Sequence, residues 1–163
     1  MDGLSEIQKI ICDKTSCNIF NLKFDPESKD YKGATYQINS KRAISRSSKI
    51  TPKKTGQFVT FWKRNQKGIT EPFNIESKFD FFVIDVVKDD KKGQFILPKE
   101  ILQTKGIISS NEKEGKRGFR VYPMWDNPTS KQAIKTQNWQ LNYFIEFNEV
   151  IDVVRLKGLY KIV

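Results

Sequence analysis

The sequence predicts an α/β protein of the α+β mixed-sheet kind: one domain over residues 1–163, with a central mixed β-sheet flanked by helices. Three observations lead there. A chain of 163 residues is one domain in length and can bury about 68–70% of its unfolded surface. Twelve Phe, five Tyr and three Trp supply bulky core groups although the hydrophobic fraction is only 37%, which argues against disorder. Helical and alternating apolar periods follow one another with no internal repeat and no low-complexity linker, the order expected of a single mixed domain.

Leu4, Ile7, Ile10 and Ile11 recur at helical spacing, so roughly residues 3–17 read as an amphipathic helix, with Ser5 or Asp2 as its start signal. Asp25–Asp30 is polar, contains Pro26 and reads as a loop. Ala34–Asn39 and Arg42–Ile50 read as two strands joined by a tight hairpin at Asn39-Ser40. Gly56–Arg64 alternates, with Phe58, Thr60 and Trp62 on one face and Val59 and Phe61 on the other, the pattern of a strand buried on both sides for much of its length.

Phe79–Val87 is the strongest apolar run. A charged turn at Lys88–Lys92 and a short strand at Gln94–Leu97 follow it. Pro98 opens a short helix through Gln103, since proline is tolerated in a first turn. Gly118–Tyr122 is a further strand ended by Pro123. Ser130 caps a helix running to about Phe144, with Ala133, Ile134, Trp139 or Leu141, and Phe144 inward. Val150–Val163 fits helix and strand equally.

Composition excludes several chemistries. There is no histidine, so no Ser-His-Asp or Cys-His nucleophile pair and no histidine-based zinc site. The two cysteines, Cys12 and Cys17, fall in one predicted helix, where their spacing suits a disulfide poorly. Free thiols and a reducing cytosol are expected. The opening MDGLSEIQKIIC carries acids and lacks a secretory apolar run, and no stretch approaches 18 uncharged apolar residues, so a soluble cytoplasmic protein is expected.

The net charge of +10 is concentrated. Tyr31–Thr70 holds Lys32, Lys41, Arg42, Arg46, Lys49, Lys53, Lys54, Lys63, Arg64 and Lys67 and no acid, which leaves 19 basic residues against 19 acids elsewhere. An A/T-rich genome explains many lysines better than it explains missing acids. A single-sign field of this kind attracts polyanions.

Three constellations carry candidate binding chemistry. Ser47–Gln57 is a loop rich in hydroxyls and lysines, suited to phosphate oxygens although it lacks the order of a P-loop. Gly115–Asp126 sets two glycines about a Lys-Arg pair. Alternation there places Arg120 and Tyr122 on one face, opposite Phe119 and Val121, with Trp125 nearby for base stacking. Lys131, Lys135 and Asn138 share a stripe of the helix after Ser130. An ordinary solvated turn, core aromatics and a solvated helix face are the plainer readings of the three. Among the acids, Asp80 and Asp85 are read on one strand and point to opposite faces, and no spacing compels a metal site.

Taken together, TPKKTGQFVTFWKR (51–64), GKRGFRVYPMWD (115–126) and SKQAIKTQNWQLNYFI (130–145) resemble the MepB-like family of small bacterial proteins over roughly residues 33–145. DFFVIDVV (80–87) and GQFILPKEIL (93–102) fit the same pattern. The family has no established reaction. The resemblance implies a restriction-endonuclease-like topology, in which an acid stands on a central strand and a Glu-x-Lys pair on the next. Ser47-Ser48-Lys49 is the nearest counterpart here; it keeps the lysine and lacks the glutamate, and Ala34–Asn39 before it holds no acid.

The expected function is therefore a non-catalytic nucleic-acid-binding domain. Arg46, Lys49, Lys53, Lys54, Lys63, Arg64, Lys116, Arg117, Arg120, Lys131 and Lys135 are the expected phosphate contacts, and Tyr122 and Trp125 the expected base platforms. No catalytic residue, metal or cofactor is expected. Two alternatives stand beside it: a divergent metal-dependent nuclease using Glu6 or Glu76 with Lys49, and a regulatory module clamping an anionic metabolite or acidic protein between Arg117 and Arg120.

Overall fold

The computed structural model describes residues 3–162; Asp2 and Val163, which entered two of the expectations above, lie outside them. Helix α1 (Glu6–Thr15) begins at Ser5, whose Oγ accepts from Gln8 N at 3.1 Å while Ser5 N donates to Gln8 Oε1 at 3.0 Å. This capping box satisfies two otherwise free donors. The helix stops short of Cys17 because Ser16 turns left-handed, at φ 59°, and its N–H closes onto Cys12 O.

Strand β1 (Ile19–Phe24) gives no period-2 signal in the sequence. A register shift between Phe20 and Lys23, with Asn21 at φ 54°, breaks its alternation, as a bulge does. The expected loop at Asp25–Asp30 is a 3-10 turn, Pro26–Tyr31, capped by Asp25. Strands β2 (Ala34–Ile38) and β3 (Lys41–Ser47) form the expected hairpin about Asn39-Ser40.

The predicted strand Arg42–Ile50 divides at Ser48, which bonds to Asp85 O through its N–H and to Gln57 Oε1 through its hydroxyl. Beyond it lies β4 (Lys49–Ile50) in a second sheet. The predicted strand Gly56–Arg64 divides too, into β5 (Gln57–Thr60) and β6 (Lys63–Arg64); β6 pairs with β7 (Thr70–Glu71) as a separate hairpin. Only one face of that stretch is fully buried: Val59 and Phe61 are enclosed, whereas Phe58, Thr60 and Trp62 are half-buried.

Strands β8 (Phe81–Lys88) and β9 (Lys91–Pro98) form a longer and tighter hairpin than expected, with Lys88 directly opposite Lys91 and Asp89 at φ 55°. Helix α2 (Lys99–Thr104) follows Pro98, and β10 (Gly118–Val121) comes next. Helix α3 (Lys131–Gln140) ends before Phe144, so that Phe144–Glu146 forms β11 on the edge of β9. The ambiguous C-terminal stretch contains helix α4 (Val153–Leu159), capped by Asp152, whose carboxylate accepts from Arg155 N at 3.0 Å.

The main sheet has the order β1-β2-β3-β8-β9-β11 and is antiparallel except for the parallel pair β3/β8. A smaller antiparallel sheet runs β10-β5-β4. One core lies between the two sheets, where Phe61 stacks on Phe82 at 3.9 Å and Leu102 of α2 packs in. The other lies under α1 and α4, with Ile11 and Leu156 fully enclosed. Helix α3 packs beside the first core through Trp139, half-buried; Ile134, expected inside, is exposed.

Candidate functional site

Strand β10 alternates as the sequence predicts: Phe119 and Val121 are buried in the core, and Arg120 and Tyr122 lie on the other face. As the outer strand of the small sheet, β10 has backbone groups that need partners. Gln140 provides them. Fully buried at the end of α3, it donates from Nε2 to Arg120 O and accepts at Oε1 from Tyr122 N, each at 2.9 Å. One amide thus stands in for a peptide unit of a neighbouring strand and clips α3 to β10. Gln137 completes the clip by donating to Pro123 O at 3.0 Å and Asp126 O at 2.8 Å.

Between β10, α3 and the end of α2 runs a groove of about 780 Å³ lined by Lys105, Lys116, Arg120, Lys131 and Lys135, with Tyr122 and Trp139 in its walls and no Asp or Glu. Among the described residues none of its four lysines forms an ion pair. In a concave, low-dielectric wall their fields add and are focused outward. Lys116, Arg120, Tyr122, Lys131 and Lys135, expected from the sequence, come together here. Lys105 joins them without any signal in the sequence, because nothing in its neighbourhood of the chain marks it; its ammonium lies 5.4 Å from the Trp139 ring centroid.

Arg120 lines the groove but its guanidinium is already committed. It donates to Thr51 Oγ1 at 2.6 Å and to the carbonyls of Thr55 (3.1 Å) and Gly56 (3.2 Å). It therefore holds the 51–56 loop rather than offering a free fork. Lys53 and Lys54 on that loop are exposed and, with Lys88 and Trp125, line a second cleft of about 410 Å³. The glycines flanking the Lys116-Arg117 pair are required by internal packing: a Cβ on Gly115 would lie 2.4 Å from Ile107 O, and one on Gly118 2.6 Å from the Phe58 ring.

Other expected contacts are placed elsewhere. Arg46 is 3% exposed, pairs with Asp25 at 3.6 Å and leaves its Nε without a partner, so it cannot reach a phosphate in solvent. Burial lowers its pKa, opposed by the Asp25 charge. Lys63 pairs with Glu71 at 2.9 Å, directly across its hairpin, and Arg64 with Glu27 at 2.5 Å. The acid-free segment is thus not acid-free in space. Lys49 is exposed, with its ammonium 4.7 Å from the Tyr31 ring centroid. Trp125 meets Phe144 edge-to-face at 5.7 Å and its Nε1 is buried and unpartnered, so the half-buried ring is wedged against the core on one side while it lines the second cleft on the other.

Both arginines of the expected Arg117–Arg120 clamp are engaged within the protein. Arg117 reaches Glu114 at 3.2 Å and Thr70 O at 3.1 Å, away from the partners of Arg120.

The acids are equally dispersed. Glu6 is engaged by Lys92 at 2.7 Å, a hydrogen bond and charge that hold its carboxyl below the usual range. Asp80 lies before β8, not on it, and accepts from Arg42 N at 2.8 Å. Asp85 is half-buried on β8 and accepts from Gln94 Nε2 at 2.7 Å; burial pushes its pKa up to about 6 against the lowering effects of Gln94 and Lys32. Among the described residues no three His, Cys, Asp or Glu side chains converge as metal ligands.

The fold and the groove define a class: a single-domain α+β protein with a six-stranded mixed sheet and a cationic groove beside a smaller second sheet. A MepB-like family model matches residues 25–146, and the chain belongs to the MepB-like family. Among solved structures it is similar to the crystal structure of MepB, with 32% identity and a TM-score of 0.79 over 90% of this chain and 100% of that one. None of the curated proteins matches it. Among the described residues no helix is long and apolar enough to cross a membrane.

Proposed function

We propose that this protein is a nucleic-acid-binding domain that holds the phosphate backbone in the groove between β10 and α3. The observation that carries this reading is the groove lining itself: Lys105, Lys116, Lys131 and Lys135 face one concavity that no carboxylate enters. Unpaired ammonium groups in a cleft are what counterion release from a polyanion rewards. Lys53 and Lys54 extend the positive surface along the loop that Arg120 holds.

The nuclease alternative finds less support. In the restriction-endonuclease-like topology implied by the family resemblance, an acid on a central strand faces a Glu-x-Lys pair on the next. Here the acid on a central strand is Asp85, and the strand opposite presents Gln94-Phe95-Ile96. On that side an amide and an apolar side chain stand in place of the second metal ligand and the lysine. On the other side of β8, Ser47-Ser48-Lys49 keeps the lysine without the glutamate, so neither neighbour supplies a second carboxylate for a metal that activates water.

Titration of a labelled oligonucleotide at several salt concentrations tests the binding reading. The logarithmic affinity should fall steeply with salt. The Lys131→Ala/Lys135→Ala double variant should lower the slope by about 1.4–1.8, since each phosphate left without its lysine removes about 0.7–0.9. A flat salt response, or an unchanged slope in the double variant, overturns it.

A further inference from the structure

We propose that the groove takes a single strand of nucleic acid, with phosphates on the lysines and a base stacked on the indole of Trp139. The inference rests on the nucleic-acid reading above and specifies its ligand. Trp139 lies in the last turn of α3, packs against the inter-sheet core and also lines the groove. The Lys105 ammonium lies over its ring, 5.4 Å from the centroid, so a π face of the indole carries a cation, and a base stacking on that face takes the place of this ammonium. Tyr122 contributes a second half-buried ring to the same cleft. Cations and aromatic faces are therefore interleaved along one channel.

A single strand has the same alternation: each repeat carries one phosphate charge and one flat base whose faces are free. Base–aromatic stacking is available to every base and so needs no sequence. In a duplex the base faces are stacked on one another and only their edges reach the grooves, so Trp139 and Tyr122 have nothing to contact. The clip formed by Gln140 also holds α3 against β10 along one side of the channel. Helix α3 has 10 residues. At 1.5 Å per residue it is roughly 15 Å long, room for a few nucleotides of an extended strand.

The probes are a labelled 15-nucleotide oligothymidylate and a labelled duplex of equal length, each titrated over the same salt range. The single strand is expected to bind at least about tenfold more tightly. Trp139→Leu, which keeps apolar packing but removes the π face, is expected to cost the single strand about tenfold in affinity and to leave the salt slope unchanged. Trp139→Phe keeps a ring and is expected to retain most of the preference; thermal melts of both variants establish that they fold.

Equal or tighter duplex binding, with a slope that still depends on Lys131 and Lys135, overturns the single-strand proposal and leaves the nucleic-acid reading standing. A Trp139→Leu variant that folds and binds the single strand like the parent also overturns it. Binding of neither probe overturns both.

Discussion

Gln94 stands directly opposite Asp85 on the β8–β9 ladder and donates its Nε2 hydrogen to the Asp85 carboxylate at 2.7 Å. The same amide accepts at Oε1 from the Tyr160 hydroxyl at 2.5 Å, and Tyr36 lies 3.3 Å from Tyr160. A carboxylate only accepts, so the amide must turn its NH2 to Asp85 and its carbonyl to Tyr160. Tyr160, having given its proton to Gln94, receives one from Tyr36. One half-buried carboxylate thereby orients three further side chains and ties the residue after α4 to the middle of the sheet. Burial raises the pKa of both tyrosines, which remain neutral donors.

The Asp85 pKa of about 6, raised chiefly by burial from an ordinary value of 3.8, sets a direction for stability against pH. A folded-state pKa above the unfolded one means that the folded protein holds a proton the unfolded chain has lost. The stabilisation from this group is complete below about pH 4 and is lost as pH rises through 6. Asp85→Asn keeps an acceptor for Gln94 and removes the charge. It should be more stable than the parent at pH 8 by up to about 3 kcal/mol, with the difference shrinking toward pH 4, as followed by urea unfolding across that range.

Gln140 is fully buried and answers two backbone groups of β10. Gln140→Leu fills the same space and leaves Arg120 O and Tyr122 N without partners. Each unmade bond costs about 1–3 kcal/mol when buried, so a loss of about 2–6 kcal/mol in unfolding free energy is expected. Hydrogen exchange at Tyr122 should accelerate before global unfolding, since α3 is released locally.

Arg46 carries a charge that is almost fully enclosed, with an unpartnered Nε and a loose pair to an Asp25 that water still reaches. Replacing a buried ionic side chain by an apolar one of similar length is often neutral or stabilising. Arg46→Met is expected to change unfolding free energy by no more than about 1 kcal/mol and to leave the salt slope of oligonucleotide binding untouched. A lowered slope would return Arg46 to the interface.

The start of α1 at Ser5, the hairpin at Asn39-Ser40, the apolar run of β8, the cap at Ser130 and the two-faced alternation of β10 are all written in neighbouring residues, because capping, turn chemistry and period-2 burial act over a few positions. Family membership is legible for the same reason, in short blocks. The bulged β1, the division of two predicted strands at Ser48 and after Thr60, and the addition of β11 leave no such trace, since each depends on a partner strand.

The charge pattern is where chain order and space part most clearly. Ten cations without an acid read as one patch, yet Asp25, Glu27 and Glu71 come from outside that segment to meet Arg46, Arg64 and Lys63. The unpaired groove is assembled instead from Lys105, Lys116, Lys131 and Lys135, brought together by the docking of α3 on β10. Coulomb interactions depend on distance through space and on the surrounding dielectric. A sequence states how many charges a protein has, and packing chooses which of them remain free to bind.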